Sequence, residues 1–254
     1  MARKDCPRCE GTGWKPVEKD GVRLVARCEC EIIQHSESLL KAAQIPRRYE
    51  HCDFESFDTR PDPSLKAAKL YSERLVEEYP TDFGLLFAGT TGVGKTHLGV
   101  AVLRELMVRK SVPCLYYDFL KLLKDIRESY NPVSHTSELR VMRPVLDVEV
   151  LMLDDLAASD PTDWVRETLT HIINSRYNEK KVTLITTTLA LERPRQREAR
   201  SPSGDSIPPR TDRSLAQLGP TLSSRLYEMC KLVEIKSKDF RKTTMQRGVK
   251  FRAE

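Results

Sequence analysis

At 254 residues, 39% of them hydrophobic and 31% charged, the chain has the make-up of a soluble globular protein. It is long enough for one α/β domain with a small accessory module, but not for two full domains. No apolar run approaches the ~20 residues that span a bilayer, and Met1 to Cys6 lacks the apolar core of a signal peptide. Composition therefore excludes a membrane protein and points to the cytoplasm, where thiols stay reduced.

Four of the seven cysteines, Cys6, Cys9, Cys28 and Cys30, crowd into the first thirty residues. Gly11, Gly13, Gly21, Pro7 and Pro16 lie among them, so residues 1–33 read as a small, turn-rich, zinc-ribbon-like module with little core of its own. The spacing is C-x₂-C, eighteen residues, then C-x-C. Four thiolates can surround one Zn²⁺ tetrahedrally, and the metal can organise a segment too small to fold alone. Four protein ligands leave no open position, so the site is structural. His35 is near enough in sequence to replace one ligand, whereas Cys52, Cys114 and Cys230 are solitary and read as packed core residues.

A short helix is expected over residues 32–43, and Ile45 to Phe57 reads as an extended linker, so residues 34–63 form a helix and connector. Ser64, following Pro63, is expected to cap a helix that runs to about Tyr79. Strands are then expected at 83–88, 113–117, 148–153, 182–187 and 232–235. Helices are expected at 95–109, 119–130, 137–146, 161–178 and 215–229, with a polar loop over 131–136. Such alternation implies a parallel five-stranded sheet flanked by helices on both faces, spanning residues 64–241. Residues 191–214, rich in Arg, Pro and Ser, read as a mobile loop. Residues 242–254 continue a basic end in which Lys236, Lys238, Arg241, Lys242, Arg247, Lys250 and Arg252 face only Asp239 and Glu254. That end can meet nucleic-acid phosphates or simply be solvated.

Gly89, Thr90, Thr91, Gly92, Val93, Gly94, Lys95 and Thr96 satisfy G-x-x-x-x-G-K-[ST] at every fixed position, with a strand running in and a helix running out. Glycines let the backbone wrap phosphates, its amides point inward, and the helix N-terminus adds positive potential. Lys95 is expected to reach the β- and γ-phosphates of ATP and Thr96 to ligate Mg²⁺. The buried strand at 148–153 ends in Asp154-Asp155. Asp154 is the expected second Mg²⁺ partner, from a strand beside the phosphate loop, and Asp155 the general base for the attacking water. The run Thr186-Thr-Thr188 ends the next strand, and a hydroxyl there can orient water or sense the γ-phosphate.

From about Ile45 to Arg241 the chain resembles the AAA+ ATPases of the bacterial DnaC/DnaI helicase-loader group. The resemblance rests on the Ile45-Pro-Arg-Arg-Tyr49 to Phe57 lead-in, the Gly89–Thr96 loop, Leu153-Asp-Asp-Leu156 and Ser224-Arg225-Leu226. It implies a P-loop AAA+ fold without a helical lid, so no second-sensor arginine is assigned. It also implies an ATPase that forms a homo-oligomer when ATP is bound. Arg225 matches the group's arginine finger, inserted into the neighbouring subunit's ATP site, with Arg176 a weaker competitor placed where a helix packs on the sheet. Residues 119–147 match an element the group uses in assembly and single-strand DNA contact. Thr188 stands where many such ATPases carry a sensor Asn, and Asp155 is one methylene shorter than the usual Glu, which implies slow, partner- or DNA-dependent hydrolysis. The first cysteine pair resembles the zinc repeats of DnaJ-type chaperones, and a zinc-bearing N-terminal module also occurs in DnaI-type loaders.

The resemblance implies DNA replication as the setting, with a hexameric replicative helicase as partner. An IstB-type transposition helper, working with a transposase on target DNA, shares the fold, but its N-terminal region is usually helical rather than cysteine-bearing. Two further readings are a zinc-bearing ATPase with another client and a small-molecule P-loop kinase using the 191–214 segment as a lid. Four prolines in that segment favour an insertion instead.

Overall fold

The computed structural model describes residues 5–19, 21–131, 133, 137–157, 162–191 and 214–242. The expected loop at 191–214 and the tail from 242 therefore lie almost wholly outside the described residues, as does most of the 131–136 loop.

The N-terminal module is an antiparallel hairpin, β1 (Trp14–Lys19) and β2 (Val22–Arg27), which turn content concealed. Val17, Val22, Leu24 and Val25 carry the strand preference, and Pro16 is tolerated because both strands are edges. Among the described residues of the module, the buried side chains are those of Cys6, Cys9 and Cys28, with Cys30 partly buried beside them. Helix α1 (Glu29–Ala42) starts three residues earlier than the apolar spacing suggests. Glu29 and Glu31 in its first turn suit the positive helix end. Cys30 is thus part of α1 as well as of the cysteine cluster.

Helix α2 (Pro63–Glu78) is capped by Asp62 rather than Ser64: the Asp62 carboxylate accepts from Ser64 N at 2.8 Å, and Pro63 occupies the first turn. Then come β3 (Gly84–Gly89), α3 (Lys95–Lys110), β4 (Cys114–Asp118), α4 (Phe119–Ser129), α5 (Glu138–Asp147), β5 (Val150–Asp154), α6 (Asp163–Asn178) and β6 (Val182–Thr187). The predicted helix over 215–229 is interrupted: a 3₁₀ turn at Leu215–Leu218 ends at Gly219, and α7 (Pro220–Met229) follows. Gly219 has φ +99°, a left-handed value that no helix residue adopts. The last strand, β7 (Cys230–Ile235), begins two residues earlier than expected.

The five strands β3 to β7 form one parallel sheet in the order β4-β5-β6-β3-β7. Every residue of β5 and β6 is buried, as central strands covered on both faces require. Side chains alternate between two cores. Leu85, Phe87, Tyr116, Met152 and Leu184 face α2 and α3, while Leu86, Tyr117, Leu151, Leu153 and Ile185 face α4 to α7. The sheet order separates β3 from β5: β6 lies between them, so the strand bearing Asp154 is not the immediate neighbour of the phosphate-loop strand that the sequence suggested. No helix among the described residues is long and apolar enough to cross a membrane.

Arg176, at the end of α6, has no solvent exposure. Its guanidinium donates to the carbonyls of Val145, Leu146, Val148, Glu149 and Val182 and to Thr183 Oγ1, at 2.6–3.4 Å. The fork thereby closes the C-terminal end of α5 and joins it to the starts of β5 and β6. Burial pulls its pKa down to about 10, still charged at neutral pH. This placement removes Arg176 as a finger and makes it an internal clamp. Arg176→Met removes a buried charge and its donors to five carbonyls, of which that of Leu146 keeps Lys181 Nζ; we expect a loss of about 3 kcal/mol and a melting temperature roughly 6–12 °C lower, measured by circular dichroism. A melt within 2 °C of the parent would refute the clamp.

Candidate nucleotide and metal sites

The phosphate loop hangs between β3 and α3, and two of its glycines are required by close neighbours. A Cβ on Gly94 would sit 2.6 Å from the Phe57 ring, and one on Gly92 would sit 1.9 Å from the Asp239 carboxylate. The loop is therefore gripped from both sides. Phe57 belongs to the lead-in, itself tied to α3 through the ring of His97, whose Nε2 lies 2.8 Å from the Asp53 carbonyl. Asp239 belongs to the basic end, where Phe240 N donates to the Gly92 carbonyl at 3.0 Å. A cleft of about 750 Å³ opens between these walls, lined by Arg48, Tyr49, His51, Cys52, Phe57, Gly92 to His97 and Lys236 to Arg241 except Asp239. Neither wall was legible as a site: the lead-in read as a linker and residues 236–241 as charged tail.

Lys95 is 8% exposed, and its Nζ donates to the carbonyls of Gly89 and Thr90 at 2.8 and 2.7 Å. Desolvation lowers its pKa, opposed by the charges of Asp155 and Asp154. Thr96 Oγ1 donates to Asp154 Oδ1 at 2.9 Å. Asp154 thus reaches the loop across the end of β6. There Thr186 Oγ1 donates to the same Oδ1 at 2.6 Å and accepts from Asp155 N at 2.9 Å. Of the threonine run, the hydroxyl that meets the carboxylates is that of buried Thr186, while Thr188 is exposed beyond the strand. The other Asp154 oxygen, Oδ2, accepts from the Tyr116 hydroxyl at 2.7 Å, a partner that no sequence motif signals.

Asp155 has φ +54°, a left-handed backbone that turns the chain sharply after β5. Partial desolvation, then the Asp154 charge, raise its pKa from the ordinary value, which strengthens it as a proton acceptor. A Thr hydroxyl and a carboxylate oxygen in contact beside a lysine form an oxygen-donor set suited to Mg²⁺. Arg225, on α7, lies outside the cleft: its guanidinium donates to Asn174 Oδ1 and stacks 5.7 Å from the Tyr177 ring centre on α6. It is half-buried at the surface and does not join its own phosphate loop.

The cysteines converge as their spacing suggested. The sulfurs of Cys6, Cys9, Cys28 and Cys30 all lie within 4.8 Å of one another, with Cys6–Cys28 at 3.7 Å and Cys9–Cys30 at 3.4 Å. Sulfurs bound tetrahedrally at ~2.3 Å from Zn²⁺ are ~3.8 Å apart, so the donor set fits one zinc ion. Around it, Thr12 Oγ1 donates to the Cys9 carbonyl at 2.6 Å and Cys28 N to the Gly13 carbonyl at 2.7 Å. Glu29 pairs with Lys15 and Arg8. His35 is not part of the cluster. Cys52, Cys114 and Cys230 are buried singly, and burial pushes the Cys230 thiol up to about 12.

A parallel sheet in this order, a phosphate loop on β3 and a buried carboxylate two strands away define a P-loop nucleotide-binding protein of AAA+ type. The chain belongs to the IstB-like ATP binding protein family, whose model matches residues 28–248. Among its relatives, the phage-like element PBSX protein XkdC of Bacillus subtilis is 26% identical over 240 residues, covering 90% of this chain and 80% of the relative. The replicative helicase loader DnaC of Escherichia coli is 25% identical over 147 residues, covering 57% of this chain, which spans 58% of that protein's length. The crystal structure of the DnaC helicase loader superposes with a TM-score of 0.61 and 30% identity, covering 75% of this chain and all of that one.

The cysteine cluster is open to direct test. The purified chain is expected to carry one zinc per molecule by metal analysis, and Cys9→Ser to lose it together with amide-exchange protection over residues 14–27. Full zinc content in Cys9→Ser would remove that cysteine from the ligand set.

Proposed function

We propose that this protein is an ATP-driven loader that delivers a replicative helicase to single-stranded DNA. The observation that carries the reading is the 30% identity to the DnaC helicase loader along the whole of that structure, in a chain that keeps the complete phosphate loop. Lys95 serves the β- and γ-phosphates of ATP, and Gly89 to Gly94 wrap them with backbone amides. Thr96 and Asp154 hold Mg²⁺, which when bound neutralises charge between the phosphates. Asp155 takes the proton of the attacking water. We assign the hydroxyl that steadies the two carboxylates to Thr186 rather than Thr188.

Arg225 is assigned to the ATP site of the next subunit in a homo-oligomer. Its position against α6, away from its own cleft, supports work in trans. The shelf formed by α4 and α5 is the proposed contact for neighbouring subunits and single-stranded DNA. The zinc-bearing hairpin is the proposed grip on the helicase, with its exposed Trp14, Leu24 and Val25 available for contact. Slow turnover, dependent on partner or DNA, follows from the short side chain of Asp155.

A second reading, an IstB-type helper that prepares target DNA for a transposase, is favoured by the family model that matches the chain. The two differ in their client. Native mass spectrometry with ATP, Mg²⁺ and the replicative helicase of the same cell separates them. A defined complex lost in Cys6→Ser/Cys9→Ser supports the loader, whereas no complex from a protein that still binds ATP and zinc turns the assignment to the transposase.

Lys95→Ala is expected to weaken ATP binding at least tenfold and abolish turnover, read by fluorescent-nucleotide titration and phosphate release; unchanged values would sink the site. Arg225→Ala is expected to leave nucleotide binding by the monomer within twofold. Turnover of the assembly should fall on the order of a thousandfold, as for other in-trans arginines. Equal loss of binding and turnover would argue against the finger.

A further inference from the structure

We infer that Tyr116 is a positioning residue for the nucleotide chemistry, holding Asp154 in the rotamer that leaves Oδ1 on Thr96. The inference rests on the assignment of Asp154 to Mg²⁺ above. Asp154 is 5% exposed, and its two oxygens are divided between different donors: Thr96 and Thr186 on Oδ1, Tyr116 alone on Oδ2. A carboxylate with one oxygen fixed can still swing about its own axis. A second donor on the far oxygen stops that rotation and adds a charge-assisted hydrogen bond.

Tyr116 is well placed to be that stop. It sits on β4, in register with Met152 of β5, so its ring points to the same face as the Thr96 side of the sheet. The ring is 4% exposed and lies 6.5 Å from that of Tyr49, centre to centre, which leaves it little room to move. Its backbone is held as well. β4 is the edge strand, and Tyr116 N donates outward to the Ala43 carbonyl at 2.8 Å, where α1 ends. Tyr116 is not among the residues that line the cleft, and its hydroxyl donates to Asp154, so its effect passes through that carboxylate.

The test compares ATP affinity with Mg²⁺ and with EDTA in the full chain, by fluorescent-nucleotide titration, alongside turnover. In the parent, Mg²⁺ is expected to tighten binding, and Asp154→Asn to remove that gain; failure here overturns the Asp154 assignment itself. With that established, Tyr116→Phe is expected to raise the Mg²⁺ concentration for half-maximal tightening and to lower kcat, each about tenfold, as loss of one hydrogen bond to a charged group implies. Affinity in EDTA should stay within twofold. In the Asp154→Asn background, Tyr116→Phe should change nothing further. Parental Mg²⁺ dependence in Tyr116→Phe would overturn the inference alone, and so would an equal loss of affinity in EDTA, the mark of a merely structural phenol. Should Tyr116→Phe fail to fold, 3-fluorotyrosine at position 116 keeps ring and hydroxyl while changing donor strength. A shifted Mg²⁺ midpoint supports the role and an unmoved one refutes it.

Discussion

A single carboxylate, that of Asp154, is where this fold is tied together. It receives hydroxyls from the first turn of α3, from β4 and from β6, and its own strand lies between the last two. Three donors from three elements meet one buried charge. The desolvation of that charge is tolerable only because the donors are all present, so each element is constrained to arrive in register. β6 matters most here. It stands between the phosphate-loop strand and the Asp154 strand, and Thr186 at its end bridges the gap while also fixing the amide of Asp155. The chain leaves β5 through the left-handed backbone of Asp155, whose carboxylate still feels the charge of Asp154.

What the sequence made legible follows from how local each signal is. The phosphate loop was readable because all its requirements sit within eight consecutive residues, and the cysteine cluster because thiolate spacing is itself a geometric statement. The alternation of helices and strands was readable from apolar spacing, with boundaries off by one to three residues where caps such as Asp62 or first-turn acids such as Glu29 decided the ends. Strand order was not readable, because nothing in β5 alone says that β6 will insert beside β3. Tyr116 escaped notice for the same reason. An aromatic residue in a strand is ordinary core material until the partner strand is known.

Two further misses came from reading charge and turns too literally. Residues 236–241 read as part of a basic end that meets nucleic-acid phosphates or is solvated, yet Asp239 and the Phe240 amide fasten them to Gly92. The glycine there is thus explained by a residue nearly 150 positions away. The cysteine module, dense in glycine, concealed a hairpin whose strands show little burial, so the usual inside-outside alternation was missing.

The module and the nucleotide corner are not independent pieces. Helix α1 begins inside the cysteine cluster, with Cys30 in its first turn, and the residue after its last turn, Ala43, accepts the backbone hydrogen bond of Tyr116. Between those ends it runs roughly 21 Å at the usual rise of an α-helix. It is pinned midway to α3 by Ser36, which is buried against the Met107 carbonyl at 3.4 Å. A helix clamped at its middle and bonded at its end cannot pivot without disturbing what it is bonded to. One helix thus touches the cysteine cluster at its start, α3, which carries Thr96, at its middle, and β4, which carries Tyr116, at its end, so both oxygens of the Asp154 carboxylate are held by elements that α1 contacts.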